Sequence, residues 1–397
     1  MRIGRTLPPA AAPLSLKEIL SGLAALVPGT ASQERFQAEL REYYRVPHVF
    51  LLSSGKAALA VILLALKELT PDRDEVLVPA YTCYSVPAAI IRAGLKVRPC
   101  DIDPQTLDFD WDRVEEAMAG GRLLGAVSTH LFGLPADVER LKQMAAGHGV
   151  TVIEDAAQAM GGEVGSRKIG TMGDVALFSL GRGKALCTVS GGIILTGSDE
   201  LGGAIEGVVR TLPVEGCRET LKNICYALAL LVLVRPCFFW LPKAVPFLKL
   251  GETIFDARFE LKRLGGFQAG LSKGWQEKIV ALREARSKSV SAMITAGICG
   301  PVVSGPCAAN IIKFPVLIND FDARDRLLSQ SELQGLGISA VYPGTVSKIP
   351  ELNGRCVGTE FPHAEYVAKR IVTLPVNPYV TSSDIKRIYE LCKRYSA

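Results

Sequence analysis

Val150-Thr151-Val152-Ile153-Glu154-Asp155, with Phe178-Ser179-Leu180-Gly181-Arg182-Gly183-Lys184 downstream of it, decides the fold of this chain. The first stretch is a short apolar strand closed by two acids. The second is a strand that opens into a small-residue loop carrying a lysine. Outward from them, strand and helix periods alternate. Strands are predicted at 49–52, 75–78, 96–100, 126–129, 151–154, 175–179 and 193–196, with helices at 56–67, 85–93, 112–119 and 137–147 between them. Repeated β-α-β units imply an α/β fold with a mostly parallel sheet flanked by helices. Ligands of such sheets gather at the carboxyl ends of the strands, where Ser53-Ser54-Gly55, Tyr81, His130 and Asp155 all fall.

Two helices, 16–26 and 32–44 with Ser32 as N-cap, precede the first strand after an irregular lead. One long helical stretch, 267–296, broken near Gly274, leads to mixed strands and helices and a last helix at 383–395, capped by Ser382 or Ser383. The expected organisation is a large domain, 1–265, and a smaller C-terminal α/β domain, 266–397, which opens with that long helix.

Composition narrows the function classes. The 397 residues are 48% hydrophobic and 21% charged, a globular composition, with a net charge of only +5. No long basic run interleaved with aromatics is present, so nucleic acid is not an expected partner. The ten cysteines form no Cys-x-x-Cys pair and no Cys/His cluster, which argues against a zinc site and fits a reducing cytoplasm. No secretory signal is read in the proline-broken stretch 1–12. An apolar insert at about 217–255 departs from this picture, with uniformly apolar residues at 224–234 before Arg235-Pro236. Three fates stay open for 224–248: a buried or dimer-interface helical hairpin, a membrane-surface anchor at the inner face with Trp240 and Lys243 at headgroup level, or a membrane span.

An acid ending a buried strand and a lysine in a nearby small-residue loop are what pyridoxal 5'-phosphate chemistry needs. The lysine amine forms a Schiff base with the cofactor aldehyde, and the carboxylate holds a proton on the pyridine nitrogen. The cofactor's phosphate is suited to a helix N-terminus such as Ser54-Gly55-Lys56, where Gly55 allows close backbone approach and Lys56 adds charge. Tyr81, just after a strand, is placed to stack on a ring, Gln158 to reach the cofactor's phenolic oxygen, and Ser179 to donate to the phosphate. Taken singly, each of these also reads as an ordinary capping serine, core aromatic or solvated lysine.

Together, in order, they resemble the DegT/StrS-type sugar aminotransferases. The likeness rests on Ser53-Ser54-Gly55-x-Ala57-Ala58-Leu59, Pro79-Ala80-Tyr81-Thr82, Gly94-x-x-Val97-x-Pro99-Cys100-Asp101 and His130-Leu131-Phe132-Gly133-x-Pro135-Ala136-Asp137. It continues through Glu154-Asp155-Ala156-Ala157-Gln158-Ala159, Gly170-Thr171-Met172-Gly173-Asp174, Lys184, Ser190-Gly191-Gly192, Phe361-Pro362-His363-Ala364-Glu365 and Leu374-Pro375-x-x-Pro378. The resemblance implies a fold-type I homodimer with a shared active site, glutamate as amino donor and a keto-sugar nucleotide as acceptor, for surface polysaccharide or glycoconjugate synthesis. It implies Lys184 as the catalytic lysine and Ser54, Gly55, Lys56, Tyr81, Asp155, Gln158 and Ser179 as cofactor-binding residues, with no metal. A related dehydratase or lyase, or a non-catalytic membrane-associated relative, is the alternative; the lysine at 184 argues against the dehydratases, which carry histidine there.

Three departures from the family pattern stand out. Lys56 occupies a position usually held by a small residue, and Asp256-Ala257-Arg258 stands where an Asn-x-Arg sequence usually reaches the neighbouring subunit's phosphate. An aspartate repels a phosphate and a lysine attracts it, so Lys56 is expected to bridge the phosphate and Asp256. The apolar insert is the third.

Overall fold

The computed structural model describes residues 3–245, 253–300, 310–358 and 360–395. Seven strands form the central sheet: β1 (His48–Leu52), β2 (Glu75–Pro79), β3 (Lys96–Cys100), β4 (Leu123–Thr129), β5 (Thr151–Asp155), β6 (Val175–Ser179) and β7 (Gly192–Thr196). Their spatial order is β1-β7-β6-β5-β4-β2-β3. The pairs from β6 across to β3 are all parallel, whereas β7 runs antiparallel to both β6 and β1. The mostly parallel α/β sheet read from the sequence is therefore present, with one reversed strand next to the edge.

The helices are α1 (Leu16–Ala24), α2 (Ser32–Tyr44), α3 (Gly55–Leu69), α4 (Ser85–Arg92), α5 (Trp111–Met118), α6 (Val138–Ala145), α7 (Asp199–Thr211), α8 (Cys217–Leu233), α9 (Trp240–Lys243), α10 (Gly266–Leu271), α11 (Trp275–Thr295), α12 (Phe321–Gln334), α13 (Pro362–Arg370) and α14 (Ser382–Tyr395). Period-two alternation sorts the strand residues onto two faces. Val76, Val78, Ile153 and Ile194 join α3 and the C-terminal elements in one core, while Leu77, Val152, Ile193 and Leu195 join α2, α6 and Trp275 in the other. α3 is buried along almost its whole length, which is why its sequence has no polar face. A two-stranded antiparallel ribbon, β8 (Lys313–Leu317) with β9 (Ile371–Pro375), lies with α12, α13 and α14.

Element ends bring corrections. Ser32 is inside α2, whose N-cap is Ala31. Ser382 and Ser383 both lie inside α14; the cap is Thr381, whose Oγ1 accepts from Asp384 N–H at 3.3 Å while Asp384 accepts from Thr381. Three contiguous hydroxyl residues gave no local signal for choosing among them. The break expected near Gly274 is present: Gly274 adopts a left-handed φ of 74° between α10 and α11.

Among the described residues the insert does not form a buried hairpin: α8 is followed by a short turn and the single-turn α9. Ala227 of α8 is buried against Ile19 of α1 and Phe267 of α10, whereas Leu221 (63% exposed), Leu228 and Val232 open outward. α1 exposes Leu16 and Leu20 as well. Residues 246–252 of the predicted apolar segment lie outside the described residues. No helix among the described residues is long and apolar enough to cross a membrane.

Candidate active site

The carboxyl ends of β5 and β6, the turn into α3 and the β6–β7 loop meet at one place. The loop is closed at its base by Leu180 N–H donating to Gly191 O at 2.8 Å and Thr188 N–H to Leu180 O at 2.9 Å. Lys184 stands in it half-buried. Arg286 of α11, fully buried, donates to three carbonyls: Ala185 O at 3.1 Å, Lys184 O at 3.2 Å and Ala11 O at 3.4 Å. Burial lowers its pKa to about 10. A guanidinium spent wholly on backbone oxygens holds the lysine loop in place. Nothing in the spacing of the α11 sequence marked it, because its partners are backbone.

Asp155 ends β5 buried, and Ala157 N–H donates to its Oδ1 at 3.0 Å. Burial raises its carboxyl pKa; the Ala157 N–H, Lys184 and His130 act in the opposite sense. Lys184 is thus within electrostatic reach of Asp155. Its neighbour Glu154 points to the other face of the sheet. Burial works to raise the Glu154 pKa, yet His130 and backbone donors hold it below the ordinary value. Those donors are His130 Nε2 at 3.0 Å and the N–H groups of Gly170 (2.6 Å), Met172 (2.9 Å) and Gly173 (3.0 Å). His130 Nδ1 accepts from Ala136 N–H at 3.0 Å, so the ring is assigned as the Nε2–H tautomer and serves as a structural tie. Two adjacent acids therefore play separate parts, one fully bonded and one short of donors.

Ser54 caps α3, its Oγ accepting from Ala57 N–H at 3.2 Å. Gly55 approaches β6 so closely that a Cβ there would lie 2.8 Å from Ser179 Cβ. Ser54, Gly55 and Ser179 thus form one surface. Lys56 Nζ contacts Asp256 Oδ2 at 3.1 Å and sits 4.4 Å from the Phe259 ring centroid. The pairing of Lys56 with Asp256 is present, formed within a single chain, and Lys56 lowers the Asp256 pKa. Tyr81 is fully buried, its pKa raised by burial, with its ring 5.4 Å from that of Tyr342 at 55°. Gln158 Nε2 donates to Tyr342 Oη at 3.2 Å. Tyr342 is a site residue that sequence reasoning missed; its one signal is an aromatic just before the Pro343-Gly344 turn, much as Tyr81 follows a strand.

The residues themselves meet or fail the needs of a pyridoxal phosphate. Asp155 is a buried carboxylate short of donors, which a pyridinium N–H would supply. The start of α3 with Ser54 and Ser179 offers an anion a helix N-terminus. Lys184 provides an amine between them, and Tyr81 a ring. The residues fit the cofactor.

The profile of the DegT/DnrJ/EryC1/StrS aminotransferase family matches residues 15–227 and 290–393. The chain belongs to that family. The family is pyridoxal-phosphate-dependent, and the structural relatives include a sugar aminotransferase in its PLP and PMP forms. The matched spans leave out 228–289, which contains much of the apolar insert. The UDP-N-acetyl-3-dehydro-alpha-D-glucosamine 3-aminotransferase of Acidithiobacillus ferrooxidans is 26% identical over 387 residues, covering 95% of this chain and 93% of that one. The L-glutamine:2-deoxy-scyllo-inosose aminotransferase of Streptomyces kanamyceticus is 35% identical over 176 residues, only 44% of this chain and 40% of its own. Among solved structures, Helicobacter pylori PseC, an aminotransferase of pseudoaminic acid biosynthesis, superposes with TM-score 0.79 at 15% identity, covering 98% of this chain and 99% of its own. The E. coli GDP-4-keto-6-deoxy-D-mannose-3-dehydratase with bound hydrated PLP gives 0.78 at 16%, covering 98% and 100%. At those identities the superpositions carry the fold alone, and the fold is shared by transaminase and dehydratase.

Proposed function

We propose that the chain is a transaminase that moves an amino group from glutamate to the keto group of a nucleotide-linked sugar, in the synthesis of a surface polysaccharide or glycoconjugate. The observation that carries this reading is the convergence of Lys184, Asp155, Tyr81 and the Ser54–Ser179 surface on one side of the sheet. Bound pyridoxal phosphate supplies an electron sink that stabilises a carbanion next to nitrogen. The residues divide the remaining work. Lys184 Nζ carries the proton between the two carbons of the shift, Asp155 keeps the heterocycle protonated, and Ser54, Gly55, Lys56 and Ser179 hold the phosphate. Tyr81 fixes the ring plane, and Gln158, with Tyr342, faces the ring's oxygen. Lysine at 184 favours the transaminase over the dehydratase that shares the fold, because the family's dehydratases carry histidine there.

The reading extends to a cytoplasmic homodimer, with the open apolar side of α1 and α8 covered by a second copy of the chain, and to a domain boundary at 265/266. Sedimentation of the holoenzyme without detergent gives a dimer on this reading; flotation with anionic vesicles would instead assign that face to the membrane. The central test is borohydride reduction of the yellow holoenzyme, then digestion. The reduced cofactor is expected on the peptide containing Lys184, and a label on any other peptide refutes the assignment. Release of 2-oxoglutarate across a panel of keto-sugar nucleotides then identifies the acceptor.

A further inference from the structure

Lys313, the first residue of β8, is a second lysine at this site. Its segment is pinned to the carboxyl end of β4. Ile312 N–H donates to Phe132 O at 2.9 Å, and a Cβ on Gly133 would lie 2.1 Å from Asn310 O, so the two backbones touch. Asn310 Nδ2 ties the same segment to Glu163 O at 3.1 Å. The residue is half-buried, and its ammonium lies within electrostatic reach of Lys184 and Cys83. Asp155, Tyr81 and Tyr342 share that electrostatic neighbourhood. Among the described residues its side chain has no hydrogen-bond or ion-pair partner. A half-buried cation beside a second lysine and without a counter-ion is one that a bound anion would pair.

Position narrows which anion. The phosphate surface lies at the end of β6, and the sheet order places β4 two strands from β6. Strands are about 4.8 Å apart, so the backbone to which the Lys313 segment is pinned is roughly 10 Å from the phosphate end, across Asp155 and Lys184. The cofactor's own phosphate is served at that far end by Ser54, Gly55 and Ser179. An amino acid donor carries a carboxylate on the carbon that bears the reacting nitrogen, next to Lys184. The phosphates of a sugar nucleotide stand a sugar ring away from the reacting carbon.

We infer that Lys313 is the receptor for a carboxylate of the amino donor, the group through which the glutamate half of the reaction is recognised. This rests on the transaminase reading above. Burial and the repulsion of Lys184 bring the Lys313 pKa to about 8, so the receptor is charged at neutral pH and discharges as pH rises through that value.

The test uses the holoenzyme and two variants, Lys313→Gln and Lys313→Arg. Binding of glutarate, a dicarboxylate with no amine to react, is followed by calorimetry, and the donor half-reaction by the cofactor's absorbance on adding glutamate without sugar. Lys313→Gln is expected to weaken glutarate and raise the half-saturating glutamate concentration about 10- to 100-fold, as loss of a charge-assisted contact does. Lys313→Arg is expected to restore most of both. In the wild type both affinities should fall between pH 7 and 9, and in Lys313→Arg they should stay level. Unchanged glutarate and glutamate affinities in Lys313→Gln with the cofactor retained overturn the inference. So does a variant weakened only toward UDP- or dTDP-sugars, which would make Lys313 a phosphate ligand. A wild type that binds glutarate through Lys313 but is not bleached by glutamate upholds the receptor and sinks the transaminase reading instead.

Discussion

Gly55→Ala measures how tightly the proposed phosphate surface is built. The new Cβ would lie 2.8 Å from Ser179 Cβ, 3.1 Å from its Oγ and 3.4 Å from its Cα. The first distance is shorter than real contacts allow, and both opposing groups are anchored, one in the first turn of α3 and one at the end of β6. On helix propensity alone the change would stabilise by up to about 1 kcal/mol. Overpacking costs about 1–3 kcal/mol, so a net loss of about 0–3 kcal/mol is expected. Ser179→Gly removes the Cβ and Oγ and leaves only the 3.4 Å contact. In the double variant the overlap vanishes, and a favourable coupling of about 1–2 kcal/mol should appear. The assay is reversible urea unfolding of the four cofactor-free proteins at one protein concentration, because association would shift the midpoint. Pyridoxal phosphate affinity is measured alongside and should fall in both single variants. Additivity within about 0.5 kcal/mol would refute the close packing of the turn against β6.

Other perturbations separate the remaining roles. Asp155→Asn should stabilise the cofactor-free protein by about 1 kcal/mol while loosening the cofactor markedly, by removing a buried charge short of donors. The sign follows from the raised carboxyl pKa: stability from such a group is present below its unfolded pKa and lost as pH rises through the folded one, so at pH 7 the charge is a liability. Thermal melts with and without cofactor check it, and equal destabilisation in both states would contradict it. Glu154 has the opposite sign. Its lowered pKa means a contribution present above about pH 4.5 and lost as pH falls through the folded value, so Glu154→Gln should start about 2–3 kcal/mol less stable with a flatter acid limb in urea titrations. Lys56→Thr should weaken cofactor retention about 10-fold, a loss of roughly 1.4 kcal/mol, by leaving Asp256 facing the phosphate alone; dialysis followed by absorbance reads this, and unchanged retention discards the bridging role.

The fold was legible wherever local pattern and tertiary packing agree. Alternation in Val76-Leu77-Val78 and Val152-Ile153 sends side chains to two cores, and a sheet covered on both faces is what that pattern requires. The site was legible where chemistry sits in short ordered motifs at strand ends. Motifs far apart in sequence also meet for a readable reason. Asp101, in one of them, accepts from the N–H groups of His363 (3.1 Å) and Ala364 (2.7 Å), in another, at the start of α13. Residues that act through backbone oxygens, such as Arg286, or that reach the site from β8, such as Lys313, left no local trace, and Tyr342 left only its place before the Pro343-Gly344 turn. The apolar insert was hardest to read. A uniformly apolar helix carries no periodicity to say which side packs, and α8 buries one side on its own chain and leaves the other open.

The irregular lead before α1 is a strap. Arg5 pairs with Asp384 at 2.7 and 2.8 Å, Thr6 and Leu7 donate to Pro236 O and Gly335 O, Pro8 O accepts from Asn377 at 2.8 Å, and Ala11 O shares Arg286 with the Lys184 loop. The earliest-made of these groups must wait for partners as much as 379 positions later. At ribosomal speeds of about 5–20 residues per second that delay is roughly 20–75 s. The strap, whose Ala11 O shares Arg286 with the Lys184 loop, is thus completed only after residue 384 has been made, long after that loop and Arg286.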